Sequence, residues 1–526
     1  MNGKSALDPR GRRVLQVAAG TILLICVAAH IQLLASFLPA DPGNHPDEAA
    51  HYVTGVMVYD YFRAGMPAHP IAFAQDFYDH YPKVALGHWP PGFYLIETLW
   101  FSIAGSSLAS TRVLCMALVL ACGSLMFFMT RPVGAIFGMT ATALFLSAPV
   151  VLRSSPLIMS DFAVALLFVS AMLLLEMALR RGGPALWIGF VALATAAILT
   201  KGSAWALAPS AAVLPFLIRN PVTGSFGIPR RAYWIAGIAV AICSAPFYVW
   251  VQHLHIGYPV APAFQGASSG STWFYELQRR LEVLRPLLSG SVVPLYVLPL
   301  VFVLPMLRIQ ALPLGALPLG APACFAGILG QIAFQVVLPS TSEERYYLPS
   351  LIFCVALAVA GLANLPRIAQ VSVLAFLVSA CLYQVTFAKR PIPVRGYEAA
   401  IANIPRGSET LIVSNANGEG SLVARFLERD HFPGDRILRG SKALAQSEWN
   451  GQNYSLRYAH PAEVEDALAK ASLSHILIDD QLPDAAPHIS QCLEALSRSQ
   501  RFTLERKYTV HPADSATSST LELYGR

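Results

Sequence analysis

The chain has 526 residues, 55% hydrophobic and only 13% charged, with a mean hydropathy of +0.51. Soluble domains carry roughly a quarter charged residues, so this chain has too little polar surface to cover itself and reads as a polytopic membrane protein. A net charge of +6 is too small to point to nucleic acid, and the eight cysteines show neither a CxxC nor any other disulfide or zinc spacing.

Lys4, Arg10, Arg12 and Arg13 precede a first apolar run at 14–38, with no small-residue cleavage site before Asp41. That run reads as a retained signal-anchor with the N-terminus in the cytoplasm. Further apolar runs lie at 112–130, 133–151, 161–179, 185–200, 203–218, 232–251, 286–306, 312–338, 346–364 and 368–388. A span takes about 20 residues at 1.5 Å each. The 185–200 and 203–218 runs are shorter and meet at Lys201-Gly202, which predicts a hairpin whose tip lies in a polar cavity.

The stretch 92–107 decides the register. If it spans, the Arg180-Arg181 pair falls outside. If it is interfacial or re-entrant, Arg131, Arg180-Arg181, Arg219, Arg230-Arg231, Arg308 and Arg367 all fall inside. The second register satisfies the positive-inside rule and gives about eleven spans. It places the 39–110 loop, the 152–160 loop, Lys201, the 252–285 loop with His253 and His255, the 339–345 loop and everything after 388 on the extracytoplasmic side. The expected organisation is a membrane domain over 1–388 and an extracytoplasmic domain over 389–526. In the latter, 409–415, 475–480, 502–510 and 520–524 read as strands, and the segments ending at Asp430 and spanning 461–471 read as helices. The size suits a small α/β domain.

Polar residues that are out of character with an apolar chain collect on one face. The first loop opens with Asn44-His45-Pro46-Asp47-Glu48 and closes with His88-Trp89-Pro90-Pro91-Gly92-Phe93-Tyr94. Pro46 and two acids suit a helix start, and a helix start in a partly desolvated cavity also positions a carboxylate base. Trp89, Phe93 and Tyr94 suit interfacial anchoring; Lys83 and His88 are less well explained by it. Asp161 opens a span behind Ser160, where it suits a first-turn acid. Lys201 is an ionisable group at membrane depth, which marks a functional position. Glu343-Glu344-Arg345-Tyr346-Tyr347 sits at another outer end, and Arg112 and Arg153 are outer-side cations. Cations beside carboxylates around a membrane cavity fit a lipid phosphate that carries a group to be transferred. The cations hold the phosphate as it leaves, and a carboxylate takes the proton from the attacking hydroxyl or amine.

At these residues the sequence resembles the GT-C polyprenyl-phosphate-sugar glycosyltransferases, in the family-39-like group of protein O-mannosyltransferases and lipid A aminoarabinose transferases. The matching features are Asp47-Glu48 in the first outer loop, the Pro90-Pro91 turn behind His88, Arg112 opening the next span, Asp161, Thr200-Lys201-Gly202 and Arg345-Tyr346. Trp89 departs from the family pattern by standing between the basic residue and the prolines, which leaves the phosphate role open between Lys83 and His88. The resemblance covers roughly residues 14–390. It implies an α-helical GT-C fold followed by the α/β domain, and an inverting, metal-independent transfer from an undecaprenyl- or dolichyl-phosphate sugar to a lipid, glycan or protein acceptor. It also implies residence in the inner (plasma) membrane with a periplasmic site. Asp47 is then the base, with Glu48 and Asp161 in support. Lys83, His88, Arg112, Lys201, Arg345 and Tyr346 become the donor-binding set, and no cofactor is expected. The competing readings are a lipid-linked-sugar transporter or flippase, for which inverted repeats and mid-span charges are expected, and a membrane scaffold whose C-terminal domain binds a partner.

Overall fold

The computed structural model describes residues 9–85, 88–218, 235, 237–246, 249, 278, 281–282, 285, 320–337, 343–362, 365–446, 454–479, 486–511 and 518–526. The chain enters through α1 (Pro9–Phe37), which stops just before Pro39, a residue that disfavours helical geometry in its predecessor. There follow α2 (Pro46–Arg63), α3 (Pro70–His80), α4 (Gly92–Ala104) and α5 (Leu108–Thr130). Next come α6 (Ala135–Ser147), α7 (Pro149–Ser154), α8 (Asp161–Arg181), α9 (Pro184–Thr200) and α10 (Leu207–Leu217). Then α11 (Ala321–Val337), α12 (Leu348–Leu362) and α13 (Arg367–Phe387) complete the apolar part.

Among the described residues, five segments are long and apolar enough to cross a membrane: Arg13–Phe37, Leu108–Val133, Asp161–Arg181, Glu344–Leu362 and Arg367–Phe387. Shorter apolar helices accompany them, and the protein is a multi-pass membrane protein. Exposed Leu24, Phe128, Ile368 and Phe387 lie on these long helices, as expected of surfaces that meet lipid. At 13 residues, α4 is about 20 Å long and falls short of a hydrocarbon core of about 30 Å. The apolar run at 133–151 is not one helix as expected. Pro149 forces Ala148 out of the helical region, to φ −59° and ψ 136°, and divides the run into α6 and α7. The expected span at 286–306, and His253 and His255 of the expected loop at 252–285, lie outside the described residues.

The helix breaks at Lys201, where the sequence predicts the tip of a hairpin, but α9 packs on α8 and α10 on α11 rather than on each other. Helix α9 ends at Thr200, Lys201 is extended, and a short 3-10 turn over Gly202–Ala206 leads into α10. After α13 the chain forms a five-stranded sheet of order β2-β1-β5-β7-β6. It consists of β1 (Glu409–Val413), β2 (Arg436–Arg439), β5 (His475–Asp479), β6 (Thr503–Val510) and β7 (Ser519–Gly525), while β3 (Ala445–Gln446) and β4 (Ser455–Leu456) pair separately. Strands β2, β1 and β5 are parallel; β7 and β6 are antiparallel to their neighbours. Helix α14 (Ala416–Asp430) follows β1, and α15 (Pro461–Lys470) and α16 (Pro487–Arg498) complete the domain. Helix α14 does not face solvent: Leu422, Val423, Phe426 and Leu427 are buried in one core with Tyr52, Val53, Val56 and Met57 of α2.

Candidate active site

The site begins with the way α2 starts. Pro46 occupies the first turn, where its missing N–H costs nothing. The Nδ1 of His45 accepts from the Asp47 N–H at 3.2 Å. Glu48 is fully buried, and its Oε2 accepts from the N–H groups of Gly43, Asn44 and His45 at 3.2, 2.9 and 3.3 Å. Its other oxygen accepts from the N–H of Ile158 at 3.2 Å. Burial pushes the Glu48 carboxyl above its ordinary value, against the opposing pull of Arg112 and these N–H donors. Glu48 therefore ties the first outer loop to the segment that leads into Asp161. Asp47, the next residue back, keeps 22% of its side chain exposed.

Around Asp47 gather residues from distant parts of the chain. Arg345 Nη2 donates to Asp47 Oδ2 at 3.2 Å, across 298 positions of sequence. Arg345 Nε lies 2.6 Å from Glu343 and 3.7 Å from Asp161. Lys201 Nζ donates to Asp161 Oδ1 at 2.7 Å and stands 4.4 Å from the centre of the Tyr346 ring. Asp47, Asp161, Lys201, Arg345 and Tyr346, each singled out in the sequence, thus form one cluster. Glu343 completes it, and Arg153 pairs with the adjacent Glu344.

Burial pushes the Asp47 carboxyl up, but His45, His51, Arg345 and Lys201 outweigh it and hold the group below its ordinary value. Burial and Arg345 lower His45 to about 4, so the ring is neutral at physiological pH. Its Nε2 lies between Arg345 Nη2 at 3.4 Å and Glu343 at 3.8 Å. Glu343 itself is raised by burial. Asp47 is therefore an ionised, partly accessible carboxylate with a fixed cation on one side, a fit state for a proton acceptor.

The closing turn of the loop forms another wall. Trp89 stacks on His51 with ring centres 4.3 Å apart, and His51 contacts Phe93 edge-on and lies 3.3 Å from the Tyr94 hydroxyl. Burial lowers His51 to about 3. The extra Trp89 fills the space over His51, and half-buried His88 stands edge-on against it. Gly92 sits so close to α9 that a Cβ there would meet the Leu199 carbonyl at 2.7 Å. This contact anchors the Pro-Pro turn one residue pair from Lys201.

Lys83 is 7% exposed, and burial, then Arg439, lower it to about 7. Its charged neighbours are Asp47 on one side and Glu419, Arg439 and Lys442 of the C-terminal domain on the other. Arg112 is not in the cluster: fully buried, it donates to the Ala40 carbonyl at 2.7 Å. Two residues at the edge of the loop received no role in the sequence reading. Asp41 is 1% exposed and pairs with Arg425 of α14 at 2.6 Å. Among the described residues no group of three or more His, Cys, Asp or Glu side chains is arranged to hold a metal ion.

With this geometry in place, comparisons with known proteins can be weighed. Residues 88–250 match the model of the dolichyl-phosphate-mannose-protein mannosyltransferase family. The match covers just under a third of the chain. Its fold is similar to the Archaeoglobus fulgidus oligosaccharyltransferase in its apo form, with a TM-score of 0.51 at 12% identity over 88% of this chain and 69% of the other. This likeness marks the fold as GT-C-like. Two further solved structures are similar. One is ArnT from Cupriavidus metallidurans bound to undecaprenyl phosphate (TM-score 0.47, 16% identity, 73% of this chain, 66% of the other). The second is the Archaeoglobus fulgidus oligosaccharyltransferase AglB in complex with an inhibitory peptide and a dolichol-phosphate (TM-score 0.49, 13% identity, 90% and 70%). The chain spans just under two thirds of the length of that ArnT. No curated protein matches the sequence.

Proposed function

We propose that the protein is an integral-membrane glycosyltransferase that moves a sugar from a polyprenyl-phosphate donor to an extracytoplasmic acceptor, with inversion. The observation that carries this reading is the single cluster in which an ionised, partly exposed Asp47 shares Arg345 with Asp161, while Lys201 faces the same Asp161. The family match over 88–250 supports the class of donor.

In the reaction the acceptor hydroxyl or amine attacks the anomeric carbon. The bond from that carbon to the phosphate oxygen breaks, its electron pair leaves with the lipid phosphate, and the acceptor proton passes to Asp47. Arg345 and Lys201 present N–H donors to the leaving phosphate, and Tyr346 packs beneath both cations. In the resting cluster, Asp47, Asp161 and Glu343 outnumber these two cations. An incoming phosphate needs further positive charge. Lys83, buried and without an ion pair among the described residues, supplies it; His88, neutral against Trp89, is the weaker partner. Asp161 orders the cations, Glu48 holds the loop, and Arg112 acts from beneath through Ala40.

The membrane part, 1–388, is assigned about eleven spans by the charge rule. Arg131, Arg180-Arg181 and Arg367 lie at the helix ends opposite those that carry Asp161, Lys201 and Arg345. That arrangement supports a site and a domain over 389–526 on the extracytoplasmic face of the inner membrane. The test is made in proteoliposomes with a polyprenyl-phosphate sugar labelled in the sugar. Loss of label from the lipid together with free polyprenyl phosphate is expected. Movement of the intact labelled lipid between leaflets, without cleavage, would instead establish the transporter reading.

A further inference from the structure

The C-terminal domain is bonded to the loop that ends in Asp47. Arg425 of α14 is 8% exposed and spends its donors on that loop. Its Nε meets Asp41 Oδ1 at 2.6 Å, and its Nη2 donates to the carbonyls of Pro39 and Ala40 at 3.2 and 3.0 Å. Its Nη1 meets Glu428 at 2.6 Å, and Glu428 in turn accepts from the Leu108 N–H that opens α5, at 2.8 Å. Glu398 lies 3.6 Å away on the outer side. The Asp41 N–H donates to the Val394 carbonyl at 2.8 Å, and the Tyr397 N–H donates to Asp41 Oδ2 at 3.1 Å. One residue on, Ser421 donates to the Pro42 carbonyl. From Gly43 onward the backbone passes to Glu48.

Every residue from Pro39 to His45 is thus held by a polar contact, first from the C-terminal domain and then from Glu48. Helix α14 also touches α2 directly. A Cβ on Gly420 would meet the Ala49 Cβ at 3.0 Å and Lys83 Cε at 3.3 Å, so only glycine lets the helices approach this closely two residues beyond Asp47. By contrast, buried carboxylates near the ends of the domain's parallel strands are satisfied internally. Glu419 is bonded by Arg439 and Ser441, and Asp479 by Tyr397 and Ser414.

We propose that Arg425 is a positioning residue for transfer: through Asp41 and the 39–42 carbonyls it fixes where α2 begins, and so where the Asp47 carboxylate stands relative to the sugar. This inference rests on the assignment of Asp47 as the base. Misplacing a reacting group by about 1 Å costs on the order of 10²-fold in rate. A residue that acts only through Asp47 loses its influence once Asp47 is gone.

The experiment is a double-mutant cycle in the full-length protein, reading kcat and the KM for a polyprenyl-phosphate sugar. Arg425→Gln is expected to lower kcat by about 30-fold or more and to leave KM unchanged. Added to Asp47→Asn, it is expected to cause no further loss. Unchanged kcat in Arg425→Gln, a rise in KM alone, or a full extra loss in the Asp47→Asn background would each overturn the proposal. Full turnover by Asp47→Asn would overturn it by removing the base assignment beneath it. Loss in Asp47→Asn with none in Arg425→Gln defeats the positioning role only. If Arg425→Gln does not fold, Ser421→Ala removes the Pro42 contact, together with only a bond to Asn417 within α14. Its kcat is expected to drop several-fold in the presence of Asp47, and an unchanged value would overturn the proposal.

Discussion

Two ion networks stand at the two ends of one short segment, and they differ in what they leave open. At the Asp41 end, Asp41 and Arg425 are 1% and 8% exposed and every Arg425 nitrogen has a partner. At the Asp47 end, Asp47 and Glu343 keep 22% and 34% of their side chains exposed, and one guanidinium is stretched over three carboxylates. A buried network with all partners in place fixes geometry. One whose carboxylates outnumber its cations and stay partly exposed is left open to rearrangement, and takes an anion only with further positive charge. The first region holds; the second is the one proposed to react.

The largest expected effect comes from breaking the buried pair in the reactive region. Lys201→Met leaves Asp161 with Arg345 alone, at 3.7 Å, which costs up to about 3–5 kcal/mol, seen as a lower unfolding temperature in detergent, and is expected to abolish transfer. The double variant Lys201→Met with Asp161→Leu removes both charges and is expected to regain most of the stability but none of the activity. If activity returned with stability, the pair would be structural, like the Asp41 end. Next comes Arg345→Lys. A single ammonium cannot reach Asp47, Asp161 and Glu343 together, and kcat is expected to fall about 10²-fold in a donor-saturated assay.

The pH profile gives a smaller, graded effect. Lys83 sits at about 7, below its ordinary value, so its charge is present below that pH and is lost as pH rises through it. The kcat/KM for the donor is therefore expected to fall above about pH 7, and Lys83→Arg is expected to move this limb to higher pH. Asp47 is held below the ordinary carboxylate range, so activity is expected to stay flat on the mildly acidic side. The smallest effect belongs to a surface pair outside both regions. Arg498→Ala removes an exposed partner of Glu494 and is expected to change stability by less than about 0.5 kcal/mol and transfer not at all, as measured side by side with the wild type.

How much of this was legible in the sequence follows from the range of each signal. Asp47, Asp161, Lys201, Arg345 and Tyr346 were legible because a charged or polar group at the end of an apolar run is locally conspicuous. The charge register then put them on one face. Strands β1, β5, β6 and β7 were legible from apolar content and alternation. Strand β2 is four residues with arginine at both ends and carries no such pattern. Helix α16 does repeat Ile489, Cys492 and Leu496 at helical spacing, so it was recoverable. The break at Pro149 was signalled by the proline itself. The bond between Asp41 and Arg425 was not legible, because it joins groups 384 positions apart and neither has an unusual neighbourhood in the chain. Nor was the placement of Arg112 beneath Ala40, since an arginine at the outer end of a helix looks the same whether it faces a cavity or a loop.

The central claim is that the Asp47 carboxylate takes the acceptor's proton. Its most direct test is single-turnover transfer by Asp47→Asn with donor bound, alongside its affinity for polyprenyl phosphate. The account predicts transfer slower by about 10²–10⁴-fold at unchanged affinity for the lipid phosphate. Wild-type transfer by Asp47→Asn would contradict it.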